Sequence, residues 1–163
     1  MSQDDRAHVR HDIGVCAVLE PEAVGAPGER RFRLRVAAEH GSALLWLEKE
    51  ELYDLALTIK RMLRTSVLPT GNADVAGGSE TRADFDFKVA GLALAHDRDS
   101  GRYMLLAHMT EEEDGGVALW ADAELLNRMA DRAMEVHDGG RPRCALCGAP
   151  IRSESSHACP RAN

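Results

Sequence analysis

Residues 43–62 read ALLWLEKEELYDLALTIKRM, and residues 117–136 read VALWADAELLNRMADRAMEV. The two stretches align without a gap at an offset of 74 residues. Leu45 meets Leu119, Trp46 meets Trp120, Glu50 meets Glu124, Leu52 meets Leu126 and Ala56 meets Ala130. Each stretch opens as a short apolar run and then changes period. In the first, Leu52, Leu55, Ala56, Ile59, Met62 and Leu63 recur at helical spacing, which predicts an amphipathic helix over residues 48–64. Glu48, Glu50 and Glu51 crowd its first turn, and Lys60, Arg61 and Arg64 its last, so both ends complement the helix dipole. In the second, Leu126, Met129, Ala130, Ala133 and Met134 form the stripe of a helix over residues 123–137. Asp122 suits its N-cap, and Gly139, Gly140 and Pro142 stop it.

Upstream of each helix lie strand patterns. IGVCAVL, residues 13–19, reads as a strand, and PEAVGAPGE after it as a turn or loop. RFRLRV, residues 31–36, alternates strictly, with Phe32, Leu34 and Val36 on one face and Arg31, Arg33 and Arg35 on the other. That is a half-buried strand with one wet face. ALLWL, residues 43–47, is a third strand. The order then repeats: FDFKVAGLALAH (residues 85–96), RYMLLAHM (102–109) and VALW (117–120), joined by a DRDSG turn and an acidic TEEEDGG turn. The stretch RFRL at residue 31 also lies against RYML at residue 102.

The fold expected is therefore α+β, a tandem β-β-β-α repeat with antiparallel sheets and two helices. Its parts are a flexible arm over residues 1–11, a first repeat over 12–64, a linker over 65–84, a second repeat over 85–138 and a C-terminal knuckle over 139–163. Each three-stranded sheet alone exposes an apolar face. Packing the halves together buries both faces and both helix stripes, and at about 25 cal/mol per Å² of apolar area that burial is the main stabilising contribution.

Composition narrows the function classes. An apolar fraction of 44% supplies a core, and with only 4% aromatics that core rests on Leu, Val, Ala and Met. The net charge of −7 repels a phosphate backbone. No apolar run is long enough to span a membrane, and the opening MSQDDRAHVRHD lacks a signal peptide's apolar stretch, so a cytoplasmic location is expected. Thiols there stay reduced, which favours metal over disulfide for clustered cysteines.

Such a cluster closes the chain. GRPRCALCGAPIRSESSHACPRAN holds three of the four cysteines. Two residues between Cys144 and Cys147 let both thiolates reach one ion, and Gly148 lets the chain turn so that backbone N–H groups point at sulfur. His157 and Cys159 follow. Three sulfurs and one imidazole make a tetrahedral shell for one structural Zn²⁺, closed, with no open position for substrate. Soft thiolates argue against magnesium or calcium. Structural zinc contributes roughly 10–16 kcal/mol in small finger peptides, enough to order so polar a segment. Free tail thiols and a CxxC redox pair are the competing readings; the second fits poorly, because such pairs open a helix and this one follows a helix.

Other residues weigh less. Cys16, inside an apolar strand, reads as a small core residue and not a nucleophile. Trp46 and Trp120 read as core anchors, with a ligand-stacking pair as the alternative. His96, Asp97 and His108 have no nucleophile placed to complete a triad. No Gly-rich phosphate loop opens a helix. Residues 139–163 carry Arg141, Arg143, Arg152 and Arg161 against Glu154, a net of +3 that leaves −10 on the rest.

On VGAPGERRFRL, ALLWLEKEEL, FKVAGLALAHDRDSGR and the terminal GRPRCALCGAPIRSESSHACPRAN, the chain resembles the bacterial domain-of-unknown-function family 3090. The likeness runs from about Leu19 and is most specific at the tail. It implies that Cys144, Cys147, His157 and Cys159 match the family's terminal Cys/His pattern, and it implies no established activity. Three functions stay open: a non-enzymatic adaptor working through protein partners, a zinc-dependent nucleic-acid-binding module centred on the basic tail, and an enzyme or small-ligand binder using a cleft between the repeats.

Overall fold

The computed structural model describes residues 11–26, 28–65, 82–109, 115–139, 144, 146–147 and 158–161. The expected arm before residue 11, most of the linker and most of the knuckle, His157 included, lie outside these residues. The elements run β1 (His11–Val24), β2 (Arg31–Ala38), β3 (Gly41–Leu47), α1 (Lys49–Arg64), β4 (Phe85–Lys88), β5 (Gly91–Asp97), β6 (Arg102–His108), β7 (Gly116–Ala121) and α2 (Ala123–Asp138). The fold is mixed α+β, with two helices and one seven-stranded sheet in the order β4-β3-β2-β1-β7-β6-β5.

The sheet is not antiparallel throughout, as expected, because β1 pairs in parallel with β7 and β4 with β3; two strands also differ from their sequence reading. Residues 21–24, expected in a turn, continue β1, with Pro21 opposite Leu34 and Val24 opposite Arg31. Cross-strand charge explains this. Glu22 accepts from Arg33 at 2.7 Å and from Arg35 at 3.0 Å, and Glu20 pairs with Arg35. Arg33 and Arg35, expected to face water, are matched by these carboxylates, and such pairs favour the strand over the turn that Pro21 signals. The expected strand over residues 85–96 is broken into β4 and β5, because its two parts have different partners.

That break closes the sheet. β4 pairs in parallel with β3, Phe85 opposite Ala43 and Asp86 opposite Leu44. Val89 N then donates to Trp46 O at 2.9 Å, and Ala90 N donates to His108 O at 2.9 Å. From Gly91 the chain pairs antiparallel with β6. So β4 and β5 stand at opposite ends of the strand order with Val89 and Ala90 alone between them. Seven flat strands would hold those ends roughly 29 Å apart at about 4.8 Å per strand. Consecutive Cα atoms are about 3.8 Å apart, so the sheet must curl until its ends meet.

β1 makes the corresponding switch. His11 and Asp12 pair in parallel with Val117 and Ala118 of β7, and from Cys16 the strand pairs antiparallel with β2. Side chains follow the same correspondence: Trp46 Nε1 donates to Asp86 at 2.7 Å, and Trp120 Nε1 donates to Asp12 at 3.1 Å. Every residue in one of these contacts lies 74 positions from its counterpart in the other. The counterparts His11 and Phe85 touch, with ring centroids 4.9 Å apart.

One face of the curled sheet and the stripes of both helices meet in a single core. Leu34, Leu45, Leu105 and Leu119 enter it from the strands, and Leu52, Ile59, Leu126 and Met129 from the helices. The helices run antiparallel. Tyr53 stacks on His137 near one end of the pair, while Lys60 reaches Asn127 and Asp131 toward the other, each at 2.6 Å. Asp122 caps α2 as read, accepting from Leu125 N at 2.7 Å, and at the start of α1 Glu51 accepts from Glu48 N at 2.8 Å. Among the described residues, no helix is long and apolar enough to cross a membrane.

The other face of the sheet changes character along its width. On β1–β3 it carries the Glu–Arg ladder, and Trp46 lies beneath the guanidinium groups of Arg31 and Arg33, at 4.4 and 5.2 Å from its ring centre. On β6 and β7 it is apolar and buried at Met104, Leu106 and Ala118, with Trp120 packed beside them. The tryptophans therefore do not anchor the main core. Leu45 and Leu47 point inward, and in a strand the residue between them must point outward.

Gly14 sits where β1 changes partner. Its φ is +82°, and an added Cβ would lie 2.9 Å from Glu39 Oε2 and 3.0 Å from the His40 ring. Asp12 accepts from Gly14 N at 2.9 Å, which fixes this bulge. Gly14→Ala is expected to cost about 1–3 kcal/mol, read as a lower urea midpoint. An unchanged midpoint means the crossing from β7 to β2 tolerates ordinary backbone.

Candidate metal centre

Three of the four predicted ligands converge. The sulfur atoms of Cys144, Cys147 and Cys159 all lie within 4.8 Å of one another. Cys144 and Cys159 stand 3.7 Å apart, sulfur to sulfur. A disulfide needs about 2.05 Å, so this is not a bond. Ligands about 2.3 Å from a tetrahedral zinc stand about 3.8 Å apart along the tetrahedron's edge, so the spacing suits thiolates sharing one ion. The local chain provides for this. Leu146 and Cys147 lie in a turn, and Arg161 Nη1 donates to Leu146 O at 3.4 Å, joining the Cys159 end to that turn. All three cysteines are half-buried. The set can hold a metal ion by its chemistry. The fourth predicted ligand, His157, lies outside the described residues.

The remaining residues weighed in the sequence take structural places. Cys16 is buried, and burial pushes its thiol up to about 12, against a smaller lowering by a hydrogen bond with the Trp120 backbone. That favours the neutral thiol over the thiolate that nucleophilic attack requires. His96 stacks on Tyr103 with ring centroids 4.4 Å apart. Asp97 accepts from Asp99 N at 3.2 Å and from Ser100 Oγ at 2.8 Å, which closes the β5–β6 turn. The sequence reading missed a group of arginines brought together by β1, β2 and α2. No spacing rule finds them, because they come from distant parts of the chain.

Thiol chemistry separates these environments. In folded protein treated with a chelator, iodoacetamide at pH 8 is expected to modify Cys144, Cys147 and Cys159 and to spare Cys16 until denaturant is added. Peptide mapping by mass spectrometry reads the pattern. Modification of Cys16 in the folded state means the β1 core opens readily.

The family described as protein of unknown function, DUF3090, matches residues 11–159. No curated protein matches the chain. No solved structure matches it. The match runs through the strands, the helices and all three converging cysteines, and the chain belongs to the DUF3090 family.

Proposed function

We propose that the C-terminal segment binds one structural zinc ion through Cys144, Cys147 and Cys159, with His157 as fourth ligand, and that the protein is a non-enzymatic adaptor acting through protein contacts in the cytoplasm. The observation that carries the metal reading is the gathering of three thiols within 4.8 Å. Soft sulfur selects zinc over the hard divalent cations. A shell filled by four protein ligands leaves no position for substrate, so the ion works as a staple. A reducing compartment keeps the thiols available to it.

Two further observations support the rest of the reading. Leu146, between the first two ligands, is 57% exposed and, with Val24, is one of two large apolar side chains exposed among the described residues. An apolar tip on a metal-braced turn suits contact with another protein. The paired contacts of Trp46 with Asp86 and Trp120 with Asp12 support a body made of two β-β-β-α repeats, each lending the start of its first strand to the other.

Metal analysis tests the site. The purified protein is expected to carry one zinc per chain, Cys144→Ser to lose it, and Cys16→Ser to keep it. Protein purified free of metal, or Cys144→Ser still fully loaded, overturns the assignment. Leu146→Asp tests the contact surface: zinc content stays, while recovery of partners in a pull-down falls. Equal recovery rules out the tip as the contact.

A further inference from the structure

Two grooves in the molecule correspond position by position. In one, Arg128 and Arg132 of α2 line a space with residues 17–20 of β1; its volume is about 340 Å³. In the other, Asp54 and Thr58 of α1 line a space with residues 91–94 of β5, of about 230 Å³. Asp54 lies 74 positions before Arg128, Thr58 the same distance before Arg132, and Gly91 the same distance after Ala17. The grooves have equivalent places in the fold, and their helices bring opposite charge to them; Glu20 and Glu22 of β1 also line the first, where they are held by Arg33 and Arg35. Where α2 presents two arginines, α1 presents an aspartate and a threonine, with Glu51 beside them.

The arginine-bearing groove shares the lining residues Pro21, Glu22 and Arg132 with a larger cavity of about 640 Å³. Arg30, Arg33 and Arg132 line this cavity, against a single carboxylate, Glu22. That carboxylate is already held by Arg33 at 2.7 Å and Arg35 at 3.0 Å, so it does little to offset Arg30 and Arg132. Arg30 Nη1 donates to Gly139 O at 3.1 Å, which fixes its guanidinium across the end of α2. Arg132 Nη1 donates to Glu135 at 2.9 Å in a pair exposed to water, where such contacts contribute little and exchange readily. Ala23, Val24 and Val136 supply an apolar wall. Guanidinium forks match the oxyanions of phosphate and carboxylate groups in two-pronged fashion. On a chain of net charge −7, a cavity lined by three arginines is a local reversal of sign.

We propose that the cavity between β1 and α2 binds a small oxyanion-bearing molecule, a phosphate ester or polycarboxylate whose apolar part rests on Val24 and Val136. Arg132 and Arg30 grip the anion, while the groove beside α1 has Thr58 at the position that corresponds to Arg132 and Asp54 at the one that corresponds to Arg128. This site is separate from the thiol cluster and does not depend on the metal reading.

Calorimetric titration of the full-length, metal-replete protein with pyrophosphate and, separately, citrate tests it, at constant ionic strength set with chloride. Saturable binding of at least one probe at one site per chain is expected. Tighter pyrophosphate identifies a phosphate-bearing ligand, and tighter citrate a carboxylate. Arg132→Gln and Arg30→Gln should each weaken binding about tenfold or more, while Asp54→Asn in the corresponding groove leaves it unchanged. Arg132 is exposed and Arg30 half-buried, and unaltered melting curves establish that the variants fold. Arg132→Lys keeps the charge without the fork and should recover part of the affinity. The proposal is overturned if neither probe binds saturably, or if binding survives both glutamine substitutions, which would put the anion elsewhere, such as on the arginines near the C-terminus.

Discussion

Val89 gives its N–H to β3 and Ala90 gives its N–H to β6, and these adjacent hydrogen bonds tie one end of the sheet to the other. A strand whose halves serve different partners cannot be satisfied by either half of the molecule alone. β1 carries the same obligation, since its first residues complete β7 and the rest completes β2. Unpaired backbone groups in a buried strand are costly, so the two halves must form together. The core follows from this. Once the sheet is curled, both helix stripes lie over one apolar face, and α2 packs across β1, a strand from the far end of the sequence.

Long-range pairing of this kind has a kinetic consequence. His11 must find Val117, and Phe85 must find Ala43, before the sheet is complete. Loop-closure entropy has to be met before those contacts stabilise anything. Residues that make the crossing possible therefore matter beyond their own contacts. Gly14 supplies a left-handed bulge at one crossing. Lys88 donates to Glu48 at 2.6 Å beside the other, and that hydrogen bond holds the Glu48 carboxyl below its ordinary range.

Much of this was legible in the sequence, for local reasons. Both helices were readable from their stripes and their ends, because period and capping are written within a few turns. The strands carrying Phe32, Leu34 and Val36, or Leu105 and Ala107, were readable from alternation or from continuous apolar runs. The correspondence at 74 residues was readable because both tryptophans and both helix starts keep it. The corner at Val89 and Ala90 was not, since neither residue breaks a strand pattern and only the partners on either side reveal it. Residues 21–24 misled for the opposite reason: Pro21 signals a turn, while the partners of Glu22 lie on the next strand. The gathering of Cys144, Cys147 and Cys159 was legible because these cysteines are close in sequence. The arginine cavity was not, because Arg30 meets the end of α2 only through the closed fold.

Gly139 is both the far wall of that cavity and the last described residue before the segment that leads to Cys144. Arg30 pins the β1–β2 hairpin to that same end of α2. All of it rests on the two halves forming one unit, and Trp46 and Trp120 are natural reporters, one for each half. Urea unfolding followed by fluorescence in Trp46→Phe and Trp120→Phe, each leaving one reporter, measures this directly when each is compared with its own helical circular dichroism. Interlocked strands predict that, within each variant, the fluorescence and dichroism midpoints coincide. A variant in which the remaining tryptophan reports a separate transition, one half melting while the other stays folded, would contradict the account.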